Sequence, residues 1–446
     1  MMIQSSNSLI LVLVMKLEIN KNKKIWAGYA LVILASIIAI IILSNRATKN
    51  SEVFTGDPKS IDATIFSLEK NVGSNPKDVQ ASVSLSQAYL QKIRETADIS
   101  YYQKIEELMD NAEKVEPNNA EIYATRAEVA QGRHNFKEAH VLINKAIEVN
   151  PSRARYFGIR GDAEIELGQY KEATGSFQAM VNLRPDFSSY VRIAYIRELY
   201  GDVKGAKESL RQAISAGSNF KENIAFAYTE LGKLEMRSNL SKGKENFDLA
   251  LKVTPKYNPA LVGLGTVAYF ENDLQKSKEY FLQAYNSLPI EAYATLIADL
   301  EFVEGNTTQA SQYLTLAEIA FSSSSSRGIN TDLEESLFLS DHNIRLPEAL
   351  AKAEKAYKER PSIYAADYLS WALYKNDQLE KASSYSKEAL RLGEHDPLIL
   401  FHQGMISYKK GDRASAEKYL KKALVINPYF SVLHAGVAKK TLEDLN

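Results

Sequence analysis

The sequence predicts an all-α solenoid of repeated helix pairs, preceded by one membrane-spanning helix. Three observations carry this: prolines at a fixed period, small and apolar residues in four-three spacing ahead of each, and one long uncharged run near the N-terminus. Internal periodicity takes precedence over any motif, because it decides the fold.

Pro117, Pro151 and Pro185 recur every 34 residues, as do Pro255 and Pro289, and Pro361 and Pro428 continue the series at nearly double spacing. Each closes a pattern of the form A-x3-apolar-x2-A-x4-P. It runs Ala139, Ile143, Ala146, Pro151; Ala173, Phe177, Met180, Pro185; Ser277, Phe281, Ala284, Pro289; and Ala416, Leu420, Ala423, Pro428. Four-three spacing puts these side chains on one helix face, small residues allow close crossing, and proline ends the helix by withholding a backbone N–H. A first helix precedes each, marked by Gly161, Leu231-Gly232 or Leu264-Gly265, and Gly168, Gly201, Gly305 and Gly411 fall in the turn between the two helices.

These residues resemble the tetratricopeptide repeat family from about Ser60 to the C-terminus. The resemblance implies a right-handed superhelix of about ten helix pairs, with first helices lining a concave wall where other proteins or peptides bind. An insertion of about seven residues falls around Arg94–Tyr101, and the pairs ending near Gly217 and Glu394 lack their proline. Phe321–Asn330, FSSSSSRGIN, reads as a polar loop dividing an N-terminal block (60–320) from a C-terminal block (331–446). Ser431–Leu445 reads as a final capping helix.

Ile25–Leu43 is nineteen residues without a charge. At 1.5 Å per residue it spans roughly 28 Å, enough for a hydrocarbon core, and longer than a signal-peptide apolar region. The expected order is a cytoplasmic segment (1–24), a transmembrane helix (25–44) and a linker (45–59). Lys16, Lys21, Lys23 and Lys24 against Arg46 and Lys49 favour a cytoplasmic N-terminus, which puts the repeats outside the cytoplasm, in the periplasm of a bacterium. Met15 offers a second start.

The 446 residues carry 54 Lys+Arg against 55 Asp+Glu, a formal charge of −1, so no global field recommends nucleic acid. Cysteine is absent, which removes disulfides, thiolate metal sites and cysteine nucleophiles. No phosphate-cradling glycine loop, H-E-x-x-H or G-x-S-x-G is present, so neither catalysis nor a cofactor is expected.

Six histidines remain, at positions 134, 140, 342, 395, 402 and 434. His134, His140 and His342 read as solvated surface, and His395-Asp396 precedes a helix that Asp396 or its neighbour can cap. His402 stands on a first helix, on the groove side.

The position after the small crossing residue gives an inner column of Gln87, Glu128, Asp162, Tyr195, Lys233, Thr266, Asp299, Trp371 and Met405. It lacks the Lys and Asn ladders of familiar peptide-clamping relatives. The expected contact surface is therefore an aromatic and acidic cluster, Asp367, Tyr368, Trp371, Phe401 and His402, with Tyr374 and Tyr408 as packing. Arg192 with Tyr195, and Asp299, are further candidates. The expected function is a membrane-tethered, extracytoplasmic scaffold for protein–protein interaction. The alternative is a chaperone-like holdase or accessory subunit that binds unfolded segments.

Overall fold

The computed structural model describes residues 60–218 and 220–445; the expected membrane helix and its flanks lie outside them. Among the described residues no helix is long and apolar enough to cross a membrane.

The described residues form 22 α-helices and no strand. A single helix α1 (Ile61–Ser74) leads ten pairs: α2 (Val79–Thr96) with α3 (Tyr101–Val115), α4 (Ala120–Gly132) with α5 (Phe136–Val149), α6 (Ala154–Glu166) with α7 (Tyr170–Leu183), and α8 (Phe187–Leu199) with α9 (Val203–Ala216). Then come α10 (Lys221–Met236) with α11 (Leu240–Val253), α12 (Asn258–Phe270) with α13 (Leu274–Ser287), and α14 (Glu291–Val303) with α15 (Thr307–Ser326). The last three pairs are α16 (Asp332–Asp341) with α17 (Leu346–Glu359), α18 (Ile363–Lys375) with α19 (Leu379–Ala389), and α20 (Pro397–Lys409) with α21 (Arg413–Ile426); α22 (Ala435–Leu445) closes the stack.

The two helices of a pair play different parts. α4 buries Ala120, Ile122, Ala124, Thr125, Ala127, Val129 and Ala130, which lie all round it, whereas α5 buries only Ala139, Ile143 and Ala146. First helices are thus the inner layer, packed on both sides, and second helices are an outer layer with one apolar stripe. The four-three residues are the core of every repeat that carries them, from Ala139 to Ala423. A Cβ on Gly161 would overlap the Phe177 ring, and one on Gly265 the Phe281 ring, which is why the crossing position is glycine there.

The insertion near Arg94 is absorbed by lengthening α2 to 18 residues, which ends with Ala97 in the left-handed region. The dividing loop at 321–330 is corrected. α15 continues to Ser326, because Phe321 is drawn into a cluster with Phe338 and Ala349 and so holds the serines in helical register. The helix stops before Gly328, at φ 86°.

Past Gly328 the chain joins distant repeats rather than separating blocks. The Asn330 N–H donates to the Arg133 carbonyl at 3.0 Å, and the Asn330 carbonyl lies 2.9 Å from His134 Nδ1. Ile329 packs on the core of the first repeats. One pair further along, the Ile363 N–H donates to the Tyr170 hydroxyl at 2.7 Å. Another pair along, His395 fills the space beside Gly201. These contacts join residues 196 and 193 apart for the first two, a nearly constant offset. With a repeat of about 34 residues, the superhelix closes one turn in about six repeats and sets its next turn on the first. The seam has its own apolar core, where Ile165, Tyr170, Ile196 and Leu199 meet Ile363, Ala366, Ala389 and Ile399.

Candidate functional site

The inner wall holds two polar regions of different character. The first lies on α6 and α8. Asp162 and Arg192 form a bidentate pair, with Nε–Oδ1 at 2.9 Å and Nη2–Oδ2 at 2.7 Å. The Arg192 Nη1 also donates to the Ser188 hydroxyl at 2.8 Å. The pattern repeats upstream, where Gln87 donates to Glu128 at 2.8 Å and Arg155 to Glu128 at 3.3 Å, so adjacent first helices are laced through the column read from the sequence.

Beside this pair stands Tyr195, which keeps 38% of its surface open. Its hydroxyl pKa is nevertheless pushed far up by the surrounding protein, with Glu166, Glu198 and Asp162 adding to the effect. Tyr195 is thus open to water while close enough to these carboxylates to feel their charge. Tyr364 and Tyr368, from α18, sit in the same field and are raised well above the usual range by burial and by Asp396, Glu198 and Glu334. Burial likewise raises Asp162, Glu166, Glu198 and Asp396, with Arg192, Arg360 and Arg237 pulling the first three back. Asp396 is pulled back chiefly by the N–H groups it caps at the start of α20, accepting from Leu398 N at 2.8 Å and Ile399 N at 3.1 Å, and less by Arg237. Three tyrosines thus stand among four carboxylates, three of which are paired with arginines.

The second region lies at the C-terminal end, and it is dry. Asp367 and His402 have no exposed surface, Phe401 has 1% and Trp371 has 3%. His402 Nδ1 lies 2.9 Å from Asp367 Oδ2. The Trp371 indole donates to Asp341 Oδ1 at 2.7 Å, and His434 Nε2 lies 3.0 Å from the same oxygen. Trp371 is stacked between Tyr374 and His402, at 4.7 and 4.2 Å between ring centroids, and His434 stacks on Phe401 at 4.7 Å. Burial alone would raise the Asp341 carboxyl, but His434, with His402 and His342 beyond it, holds it at about 2. His342 Nε2 lies 2.9 Å from Asp299 Oδ1, which raises its pKa against the opposing effect of burial.

The sequence-derived candidates therefore divide. Tyr195, Arg192 and Tyr368 keep surface toward the inside of the superhelix. Asp299 is taken up by His342. Asp367, Trp371, Phe401 and His402 are corrected: they form packed core under the turn that leads into α22, because a stripe of large rings at a solenoid end is covered by its cap. His342 is also corrected, since its side chain is only 6% exposed. Asp341, which reads from sequence as solvated surface together with His342, and His434, to which the sequence assigns no role, come from opposite ends of the last block; their spacing carries no motif. Sequence reasoning missed Arg360, which is 5% exposed and joins Glu334 at 2.8 Å to Glu166 at 3.6 Å across the seam.

Tetratricopeptide repeat models match residues 125–186 and 398–430, so these two stretches are tetratricopeptide repeats. No curated protein matches the chain in sequence. Solved structures similar to this chain include pilF of Pseudomonas aeruginosa, 16% identical over 44% of this chain and 89% of that one, with a TM-score of 0.37. Yeast Tom70 is 14% identical over 92% and 95% of the two chains, with a TM-score of 0.38. The human IFIT1 dimer with PPP-AAAA is 15% identical over 82% and 87%, with a TM-score of 0.46. Likeness at this level says nothing of a partner.

Proposed function

We propose that this chain is a tetratricopeptide scaffold, tethered to a membrane by residues 25–44 with its repeats outside the cytoplasm, that holds a segment of a partner protein along its inner wall. The tether rests on the uncharged run and the lysine bias of its flank. Binding rests on one observation above the others: Tyr195 stays open to water within a wall of carboxylates, beside Tyr364 and Tyr368.

The chemistry of that wall fits an extended segment bearing Lys or Arg. A cation over a tyrosine face gains about 0.5–2 kcal/mol according to how dry the contact is, and neighbouring carboxylates add to it. Large exposed apolar side chains such as Phe66, Phe302, Ile319 and Val425 are spread along the chain rather than gathered on this wall, so the holdase reading lacks a surface.

The test is capture of partners from membranes of the native host by the full-length protein, compared with Tyr195→Ala. Loss of a small set of partners that carry basic segments supports the scaffold. Unchanged capture contradicts the assigned wall, and a graded loss across many unfolded clients supports the holdase instead. Protease protection tests the topology: repeats digested from the cytoplasmic side contradict the extracytoplasmic placement.

A further inference from the structure

From the dry C-terminal region we infer a buried site for a divalent transition-metal ion of the zinc class, formed by Asp341, His402 and His434. Each of the three offers a ligand atom, and those atoms lie within 4.8 Å of one another. A tetrahedral ion with bonds near 2 Å holds its ligands about 3–3.5 Å apart, so closing the widest separation by up to about 1.5 Å completes the set.

A second observation points to a missing partner. His402 has no exposed surface, yet its Nε2 has no hydrogen-bond partner, and neither has Asp367 Oδ1. Leaving such atoms unmatched in a dry core is costly, so nearly all buried polar groups are paired. Meanwhile His402 Nδ1 is held by Asp367 Oδ2 at 2.9 Å. With the Nδ1 proton given to a carboxylate, Nε2 keeps its lone pair; this is the arrangement in which an outer carboxylate orients a histidine ligand. Trp371 does the same service for Asp341 through its indole N–H.

The donor set, two imidazoles and one carboxylate without a thiolate, suits zinc, and also cobalt, nickel or iron, more than magnesium or calcium. Its place says what the ion does. Asp341 ends α16, His402 is on α20, and His434 is in the turn that leads into α22. An ion shared by the three ties the capping helix to two repeats. Phe401 and Trp371 cover the site on one side and leave the Asp341 side chain 16% exposed, so little room remains for a substrate and the role is structural. Three of the chain's six histidines, counting His342, lie in this one region, where repeat packing needs none.

The experiment uses the full-length protein in detergent, stripped with EDTA and titrated with zinc sulfate or cobalt chloride alone. It includes a Trp26→Phe background, which leaves Trp371 as the sole tryptophan. The expected result is one equivalent of tightly held zinc, a visible cobalt d–d band, and cobalt quenching of Trp371 fluorescence. Zinc should also raise the melting temperature, and EDTA should reverse the rise. His402→Gln and His434→Gln should each lose the bound equivalent and the quenching, while His140→Gln keeps both. Helical circular dichroism identifies any variant that has not folded. Wild-type protein that takes up no equivalent, or binds cobalt without quenching Trp371, overturns the site whatever the variants do. Equal binding by the folded variants overturns it as well.

Discussion

The two polar regions of the inner wall use the same residue types to opposite ends. Around Asp162, Arg192 and Tyr195 the charges are matched and water reaches the rings; around Asp341, Asp367 and His402 the rings are sealed and polar atoms are left over. A satisfied, open wall has surface to offer a macromolecule. A sealed region with unmatched polar atoms has no such surface to offer. What separates them is the end of the stack: the repeats around α6 and α8 meet the next turn along a seam that still leaves Tyr195 open, whereas the last repeats lie under the capping helix.

The sharpest way to break the comparison is to remove one carboxylate from each region. Asp341→Ala strands both the Trp371 indole and His434 in the core, and breaking a buried pair costs about 3–5 kcal/mol. Asp162→Ala leaves Arg192 partly exposed and able to reach water, at about 1 kcal/mol. Urea denaturation of the two variants under chelator separates these figures, and equal midpoints would erase the distinction. Trp371→Ala belongs with the first, at about 3–5 kcal/mol of lost stability, so it reports on folding rather than on a partner.

A second contrast of the same kind lies along the edges. Gly201 and Gly411 both end first helices with positive φ, 80° and 81°, but a side chain on Gly201 strikes His395 of the next turn, whereas nothing lies near Gly411. Alanine at Gly411 should cost about 1–2 kcal/mol for its left-handed backbone alone. Alanine at Gly201 should cost more and open the seam, read as faster hydrogen exchange at Ile363 and Asn330. Equal costs at the two sites would mean that the turns do not hold one another.

The smallest effect on stability, and the largest on binding, is expected at the open wall. Tyr195→Ala should leave the melting temperature nearly unchanged while weakening capture of a basic peptide. Acidification should weaken it too. Burial raises the pKa of Asp162, Glu166, Glu198 and Asp396, so each takes up its proton, and loses its charge, at a higher pH than an exposed carboxylate does at about 4. Affinity should therefore begin to fall while ordinary surface carboxylates are still charged, and a fall confined to lower pH would mean that these groups do not face the ligand.

The repeats were legible because their period is written in chemically unambiguous residues. Pro117, Pro151 and Pro185 mark helix ends by what proline cannot do, and Ala139, Ile143 and Ala146 mark a face by spacing alone. The place of Tyr195 on a first helix was legible for the same reason, since the inner column is a register within a repeat. The seam was not. Which loop meets Asn330 or Ile363 depends on the rotation summed over about six repeats, a small angle per repeat that no local pattern records. The serine run misled because composition says loop, while one residue, Phe321, fixes it as helix from its far side. Trp371 and His402 misled because the register that puts a residue on the inner face cannot say whether a later segment, here the one carrying His434, lies over it.

Placing a photo-crosslinking residue at Tyr195 and, separately, at Val425 on the outer layer, 82% exposed, tests the central claim most directly. Irradiation of the full-length protein in its native membrane should give adducts to a partner protein from position 195 and none from position 425. Adducts from the outer position alone, or equal adducts from both, would contradict an inner-wall binding site.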